Sequence, residues 1–537
     1  MKKILALLLA GCMALALCAC GTPAEPADET GSGGDANASA NGDTVVIGVF
    51  EPLSGDNGAG GKQEVLGMQY ANAETPTVDI GGKTYNVKLE VVDNESSNDK
   101  AVSAASNLIS KNVSIILGSY GSGVSIAASD TFAQAKIPAV GVTCTNPQIT
   151  EGNDHYFRIC FLDPFQGTVL ANFAKDELKA EKVYCLGQLG NDYDQGLMNY
   201  FKQAAEKLGM ECVVESFPKN NSDFTSYLTT AKNEGADVIF APTSISYAQL
   251  IVEQAAAQGI DMPLLASDTW DSNVILGAAK GKDVKVYVTT FYAEGGNAEF
   301  EKGFKEWIKS DSTNLSNNGG NDIISAVSVM GYDAYYTALE ALKAAGTTNP
   351  QDVMAALPGV KYTGITGEIS FNEEGDANRI ITGIAGRRSF TVLTIYQKHI
   401  ATDTRIIRKT LEMLEACRVE VEHITLGVDS FNLVMPTDQI RDRIYELIAE
   451  IKNRLQPDDV KVEDGIALIA CVGRRMVSVP GSSAKLFGAL GANNINIRMI
   501  AQGSEEISII VGVDNKDFER TIRTLYDGFM HEGGSKA

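Results

Sequence analysis

The sequence predicts an α/β protein made of two lobes of doubly wound parallel sheet over about residues 44–379. An α+β part of tandem ferredoxin-like units follows over about 380–537. Three observations lead there. From Asp43 onward short apolar strand-like runs alternate with helical stretches, and there are too many strands for one lobe. After about Arg379 the order changes to β-α-β-β-α, and it does so twice. The charge changes at the same place: of the net −23, residues 1–379 carry −22 (25 basic against 47 acidic) and residues 380–537 carry −1 (20 against 21).

The chain opens with Lys2 and Lys3, an apolar run from Ile4 to Leu17, then Cys18-Ala19-Cys20-Gly21. That is a secretory signal over 1–20, too short to be kept as a membrane span. The small residue before Cys20 resembles a bacterial lipoprotein signal and implies lipidation of Cys20. Leu9-Ala10-Gly11-Cys12 fits the same pattern but would leave a very short apolar region, so Cys20 is preferred. Residues 21–43, rich in Gly, Ala, Asp, Glu and Pro, read as a flexible tether.

The predicted strands then run VVIGVF (45–50), VKLEVVD (87–93), SIILGSY, PAVGVTC, KVYCLGQ (182–188), CVVESF (212–217), VIFAP (238–242), PLLAS (263–267) and VKVYVTTFY (284–292). Apolar and β-branched runs of this kind suit parallel strands buried on both faces. Ser114–Thr150 organises the whole. Gly118, Gly121 and Gly123 form a turn at the start of a helix over about 124–135, where free N–H groups and the helix dipole favour an anion. Thr143 and Thr145 add hydroxyls at the same sheet edge, and with no Lys or Arg nearby a small carboxylate fits better than a polyphosphate. Two ordinary βα turns are the alternative that spacing alone leaves open. The acidic balance argues against nucleic acid and anionic membrane surfaces. The cysteines and four histidines show no metal spacing, so neither a metal nor another cofactor is expected, and the inner cysteines read as buried free thiols.

VVIGVFEPLSGDNGAGGKQEVLGMQYA resembles the start of branched-chain amino acid binding proteins of ABC transporters. ILGSYGSGVSIAASD, IPAVGVTCTNPQIT, NDYDQG and LLASDTW continue the likeness in order. The resemblance implies a type I periplasmic binding protein anchored on the extracytoplasmic face of the cell membrane. It would deliver an amino acid to a permease. Its first lobe would take in about 44–163 and 291–350, its second about 164–290 and 351–379. It assigns Ser122 and Thr145 to the ligand carboxylate. Thr143, through its carbonyl, and Asp268 would meet the ammonium, Tyr193 would act as a lid residue, and Ser244 and Tyr247 would lie on a further ligand-facing loop. Two departures bear on the side-chain pocket: Gly60 stands where an aromatic is usual, and Asp268, beside Trp270, replaces a Glu.

In the second part, Val472–Met476, Pro480-Gly481, Asn494–Ile497 and Gln502–Ser508 resemble the ACT domains that end aspartokinases. Glu422–Ser430 resembles the same enzymes' first ACT unit. The units are expected at 380–460 and 461–537. The resemblance implies a small amino acid effector such as lysine or threonine, with Asp403, Thr425, Gly427 and Asp429 as candidates, and a homodimer through ACT units. Helix cap and β-turn are the plain alternatives for those residues. No aspartokinase catalytic domain precedes them, so no enzyme is expected. The leading reading is an exported solute-binding protein carrying an ACT pair. The alternative is the regulatory ACT portion of an aspartokinase, with the whole chain an accidental or artificial fusion of two genes.

Overall fold

The computed structural model describes residues 43–378, 383–398, 400, 405–473, 476, 480–502 and 508–530. Cys20 and Asp403 lie outside them.

The first sheet is built from β1 (Thr44–Glu51), β2 (Thr77–Ile80), β3 (Lys83–Asp93), β4 (Ile115–Leu117), β5 (Ala139–Gly141) and β6 (Tyr156–Arg158), in the order β2-β3-β1-β4-β5-β6. All neighbours are parallel except the β2–β3 hairpin at the edge. β4 and β5 are buried at every residue, as expected of central strands covered on both faces. The second sheet contains β7 (Lys182–Gln188), β8 (Glu211–Phe217), β9 (Val238–Phe240), β10 (Leu264–Leu265) and β11 (Val286–Tyr287), ordered β11-β10-β9-β7-β8 and wholly parallel.

After the second sheet the chain returns to the first lobe. Phe300, Phe304 and Ile308 of the helix Ala298–Ser310 share a core with Leu66 and Tyr70. Of residues 351–379, expected in the second lobe, the described stretch 351–378 stays with the first. Val353, Leu357, Ile369 and Phe371 join the core of Val45, Ile47 and Phe157. The cause is the hairpin of β12 (Tyr362–Gly364) and β13 (Gly367–Ile369). Its turn donates the Ile365 and Thr366 N–H groups to buried Asp333, in the helix Ala326–Ala345, at 2.8 and 2.7 Å.

The third sheet is antiparallel: β14 (Gly383–Tyr396), β15 (His423–Leu426), β16 (Ser430–Pro436), β17 (Asp459–Val472), β18 (Met499–Gln502) and β19 (Ser508–Asp514), ordered β15-β16-β14-β17-β19-β18. Two β-α-β-β-α units therefore meet through their long first strands at the centre of one sheet. One core joins Leu393, Phe431 and Leu433 to Met413, Leu447 and Ile451, and its counterpart joins Ile469, Ile509 and Val511 to Leu486, Leu490 and Leu525.

Candidate functional site

The carboxyl ends of the first two sheets face one another across a cleft, the usual ligand position for open α/β sheets. Between them lies a cavity of about 270 Å³ lined from both lobes. Ser122, Thr143, Tyr193, Ser244 and Asp268 line it. Thr145 and Tyr247 do not. Thr145 is fully buried beside the Asp163 carboxyl, and its Oγ1 lacks a hydrogen bond of normal geometry. Tyr247 belongs to the second lobe's aromatic core with Phe217 and Phe224, and its hydroxyl accepts from the Asn220 N–H at 3.1 Å.

Each lining residue is placed by its element. Ser122 opens the helix Ser122–Ala135 directly after the β4 turn, and its Oγ accepts from the Asn146 N–H at 3.3 Å. That bond ties the two hydroxyl-bearing turns of the first lobe together. Tyr193 sits in the first turn of the helix Asp192–Lys207, whose N-cap Asn191 accepts from the Tyr193 and Asp194 N–H groups. Ser244 is the N-cap of the helix Ile245–Gln258. Asp268 begins a short 3₁₀ turn after β10, fixed because Trp270 is buried and donates Nε1–H to the Thr243 carbonyl at 3.2 Å. Trp270 is thus a core anchor and is absent from the cavity wall.

Asp268 is the electrostatic centre. The Tyr193 hydroxyl donates to its Oδ1 at 2.7 Å, and Gln166 Nε2 donates to the same oxygen. Burial pushes its carboxyl up to about 6, against the pull of these two donors. Three more buried acids lie behind it. Burial raises Asp163 to about 8 and Glu64 to about 7. Glu51 is pushed well above the carboxylate range by burial and then by the charge of Glu64. Glu51 Oε2 accepts from the Tyr120 N–H at 2.7 Å, and Glu64 Oε2 from the Thr143 hydroxyl at 2.6 Å. The remaining oxygen of each acid has no ordinary donor, and a proton shared between the two acids satisfies both. This pair holds both ligand-facing turns from below.

Arg158 is fully buried on β6, and its partners lie outside this group of acids. It pairs with Asp376 at 2.6 Å and donates to the carbonyls of Cys144, Asn146 and Pro147 and to Thr150. These bonds fix the backbone that follows Thr143. The lobes are latched at the rim. Ser246 Oγ donates to Asp56 at 2.9 Å, the Ile245 N–H to Asn57 at 3.2 Å, and Asn146 Nδ2 to the Asp192 carbonyl at 3.1 Å.

The sequence reading missed Tyr120 and Gln166. Tyr120 stands at the end of an apolar run and reads as strand, and Gln166 lies in a helix that carries no motif. Gly60 was the available signal, since the Tyr120 ring occupies the space above it.

In the third sheet, Thr425, Gly427 and Asp429 sit on the hairpin between β15 and β16. The Thr425 hydroxyl accepts from Asn432 Nδ2 at 2.9 Å, the Gly427 N–H donates to the Ser430 carbonyl at 2.7 Å, and Gly427 and Asp429 are exposed. The plain β-turn alternative describes this arrangement well.

Comparison with known proteins fits this geometry. The periplasmic binding protein family matches residues 44–385, and the ACT domain family matches residues 469–529. Leu/Ile/Val-binding protein homolog 1 of Brucella abortus (strain 2308) is 29% identical over 336 residues, covering 62% of this chain and 87% of that protein. An amino acid binding protein of Pseudomonas aeruginosa is 31% identical over 254 residues, covering 47% of this chain and 67% of its own length. Among solved structures, a leucine binding protein, LivK, from Thermotoga maritima is 30% identical with a TM-score of 0.56, covering 62% of this chain and 93% of that one. The branched-chain amino acid transporter substrate binding protein LivJ of Streptococcus pneumoniae, solved in complex with isoleucine, is 26% identical with a TM-score of 0.55 and the same coverages.

Proposed function

The chain belongs to the periplasmic binding protein family, and on that premise we propose that it captures an amino acid, branched-chain or related, in the cleft between its lobes and delivers it to an ABC transporter permease. The observation that carries this reading is Asp268, a buried carboxylate held by Tyr193 and Gln166 in the cavity wall, opposite the Ser122 turn. A zwitterion needs both partners to enter a site that excludes water, an acid for its ammonium and free donors for its carboxylate. Ser122 and the helix start behind it supply the donors, and closure is driven by contacts that the ligand makes with both lobes. The matched families bind and regulate, and no catalytic role is proposed.

The protein would be held on the extracytoplasmic face of the membrane by lipid on Cys20. Replacing Cys20 with Ala is expected to release it from the membrane fraction; retention there with Cys12 intact would move the anchor to Cys12. Residues 380–460 and 461–537 would form two ACT units, the second containing the matched stretch, binding a small amino acid and pairing with a second copy.

A second reading is favoured by the charge step at about residue 379, where a new sheet begins. It holds that the tail is the regulatory part of an aspartokinase, sensing lysine or threonine, joined to the binding protein by an accidental or artificial fusion. Calorimetric titration of residues 21–537 with the twenty amino acids, repeated on 21–379 and 380–537, tests both. A ligand held by 21–379 and indifferent to the tail supports transport with a passenger. A tail ligand that shifts affinity in the front half removes the fusion reading, and silence from every fragment removes the amino acid reading.

A further inference from the structure

Gly60 lies inside the helix Gly58–Glu74 with no positive φ, so its backbone has no need of glycine. Glycine in a helix costs about 1 kcal/mol against alanine. What requires it is space: a Cβ at position 60 would sit 2.5 Å from Cε2 and Cζ of the Tyr120 ring.

Tyr120 is held from three sides. Its ring is buried over Gly60, its N–H donates to Glu51 at 2.7 Å, and its hydroxyl donates to the Thr269 carbonyl of the opposite lobe at 3.2 Å. Among the described residues it is the one aromatic that the first lobe contributes to the cavity wall, to which the second lobe contributes Tyr193. Next to it in the chain the wall includes the small residues Gly121, Ser122 and Gly123, and Thr143 also lines it. The backbone that would grip the α-carboxylate therefore runs straight into the ring.

We infer that Tyr120 determines specificity: its ring, seated on Gly60, ends the side-chain pocket and restricts the site to amino acids with short side chains. This rests on the amino acid reading above. The Thr269 bond also makes the ring part of closure, so the pocket takes its final depth only when the lobes meet.

Calorimetry of the purified protein with alanine, serine, threonine, leucine, methionine and phenylalanine tests it, with wild type beside Tyr120→Phe, Tyr120→Ala and Gly60→Ala. Wild type and Tyr120→Phe should rank the short side chains first. Tyr120→Ala should move the preference toward leucine, methionine or phenylalanine by about tenfold or more, the scale on which a hydrophobic pocket reads side-chain size. Gly60→Ala, which changes only the seat of the ring, should weaken the short ligands by about tenfold. If Tyr120→Ala does not fold, Gly60→Ala and the wild-type ranking still decide. Wild type ranking leucine or larger first, or an unchanged ranking in the folded variants, would overturn the inference and leave the amino acid reading standing. Absence of binding by all six would overturn the inference, and silence toward all twenty amino acids would bring down the amino acid reading as well.

Discussion

The cleft and the third sheet treat charge in opposite ways. Behind the cleft, Glu51, Glu64, Asp163 and Asp268 are all buried, and the buried cation nearby, Arg158, is bonded to Asp376 and to backbone carbonyls. In the third sheet the charged groups stay at the surface: Arg498 meets Glu463 and Asp514, and Arg388 meets Glu519, all with substantial exposure. The buried polar groups described there are hydroxyls such as Thr391, Thr410 and Thr521. A scaffold optimised for its own stability keeps ions hydrated. Uncompensated carboxyls in a closed wall cost stability and make sense as parts of a site. The difference separates a region that buries its ionisable groups from one that keeps them at the surface.

The sharpest way to break this contrast is at Arg158. Arg158→Ala would remove the cation beside Asp376, leaving that carboxyl with the Thr150 hydroxyl, and would take the guanidinium from the carbonyls of Cys144, Asn146 and Pro147. Truncating one partner of a buried ion pair costs about 3–5 kcal/mol. Urea denaturation should show that loss, with binding abolished because the turn after Thr143 is no longer held. A loss under about 1 kcal/mol would mean that the turn is held by something else.

Asp268→Ala acts on the site alone. Leaving a ligand ammonium buried without its partner costs about 2–5 kcal/mol of affinity, so calorimetry should find no measurable amino acid binding in a protein that still folds. Unchanged affinity would remove Asp268 from the site. The same residue makes binding pH-dependent. Because the free carboxyl titrates at about 6, below that pH the ammonium must displace a proton, and affinity should fall by up to about tenfold per unit. A flat profile from pH 7 to 5 would contradict this.

Stability should move the other way. Asp268, Glu64 and Asp163 hold protons in the folded state up to about 6, 7 and 8, whereas the unfolded chain releases them near 4. Between those limits the folded state binds more protons than the unfolded, so stability declines as pH rises from about 4 to 8 and then levels off. Without ligand, Tm should be higher at pH 5 than at pH 8. Saturating amino acid should flatten the Asp268 part of that slope, because the ammonium keeps Asp268 ionised.

How much of this was legible in the sequence follows from the range of the interactions. Strands such as β4 and β9 announce themselves because burial on both faces demands an unbroken apolar run. The twin units of the tail announce themselves by repetition. Ser122, Thr143, Tyr193, Ser244 and Asp268 are named by the family resemblance of their segments, and the fold brings all five to one cavity wall. Tyr120 and Gln166 were missed because what makes them matter is a contact with a residue 60 or more positions away: Gly60 for one, Asp268 for the other. Tyr247 misled for the mirror reason: its turn faces the cleft, while its ring is claimed by Phe217 and Phe224. Residues 351–378 were sent to the wrong lobe because the decisive contact, Asp333 with the 365–366 turn, spans more than thirty residues.

The smallest expected effect sharpens the comparison from the other side. Arg498 touches two carboxylates, Glu463 at 2.8 Å and Asp514 at 2.9 Å. Yet Arg498, Glu463 and Asp514 all remain about one-third to one-half exposed. Water screens each charge before and after the contact forms, and the long side chains lose rotamer freedom in making it. Arg498→Ala should therefore cost less than about 1 kcal/mol in urea denaturation, against the several lost at Arg158, and most of that cost should vanish in high salt. The two arginines make bonds of similar length, so distance cannot be what separates their effects. If Arg498→Ala instead matched Arg158→Ala, burial would not be the variable that distinguishes the cleft from the tail.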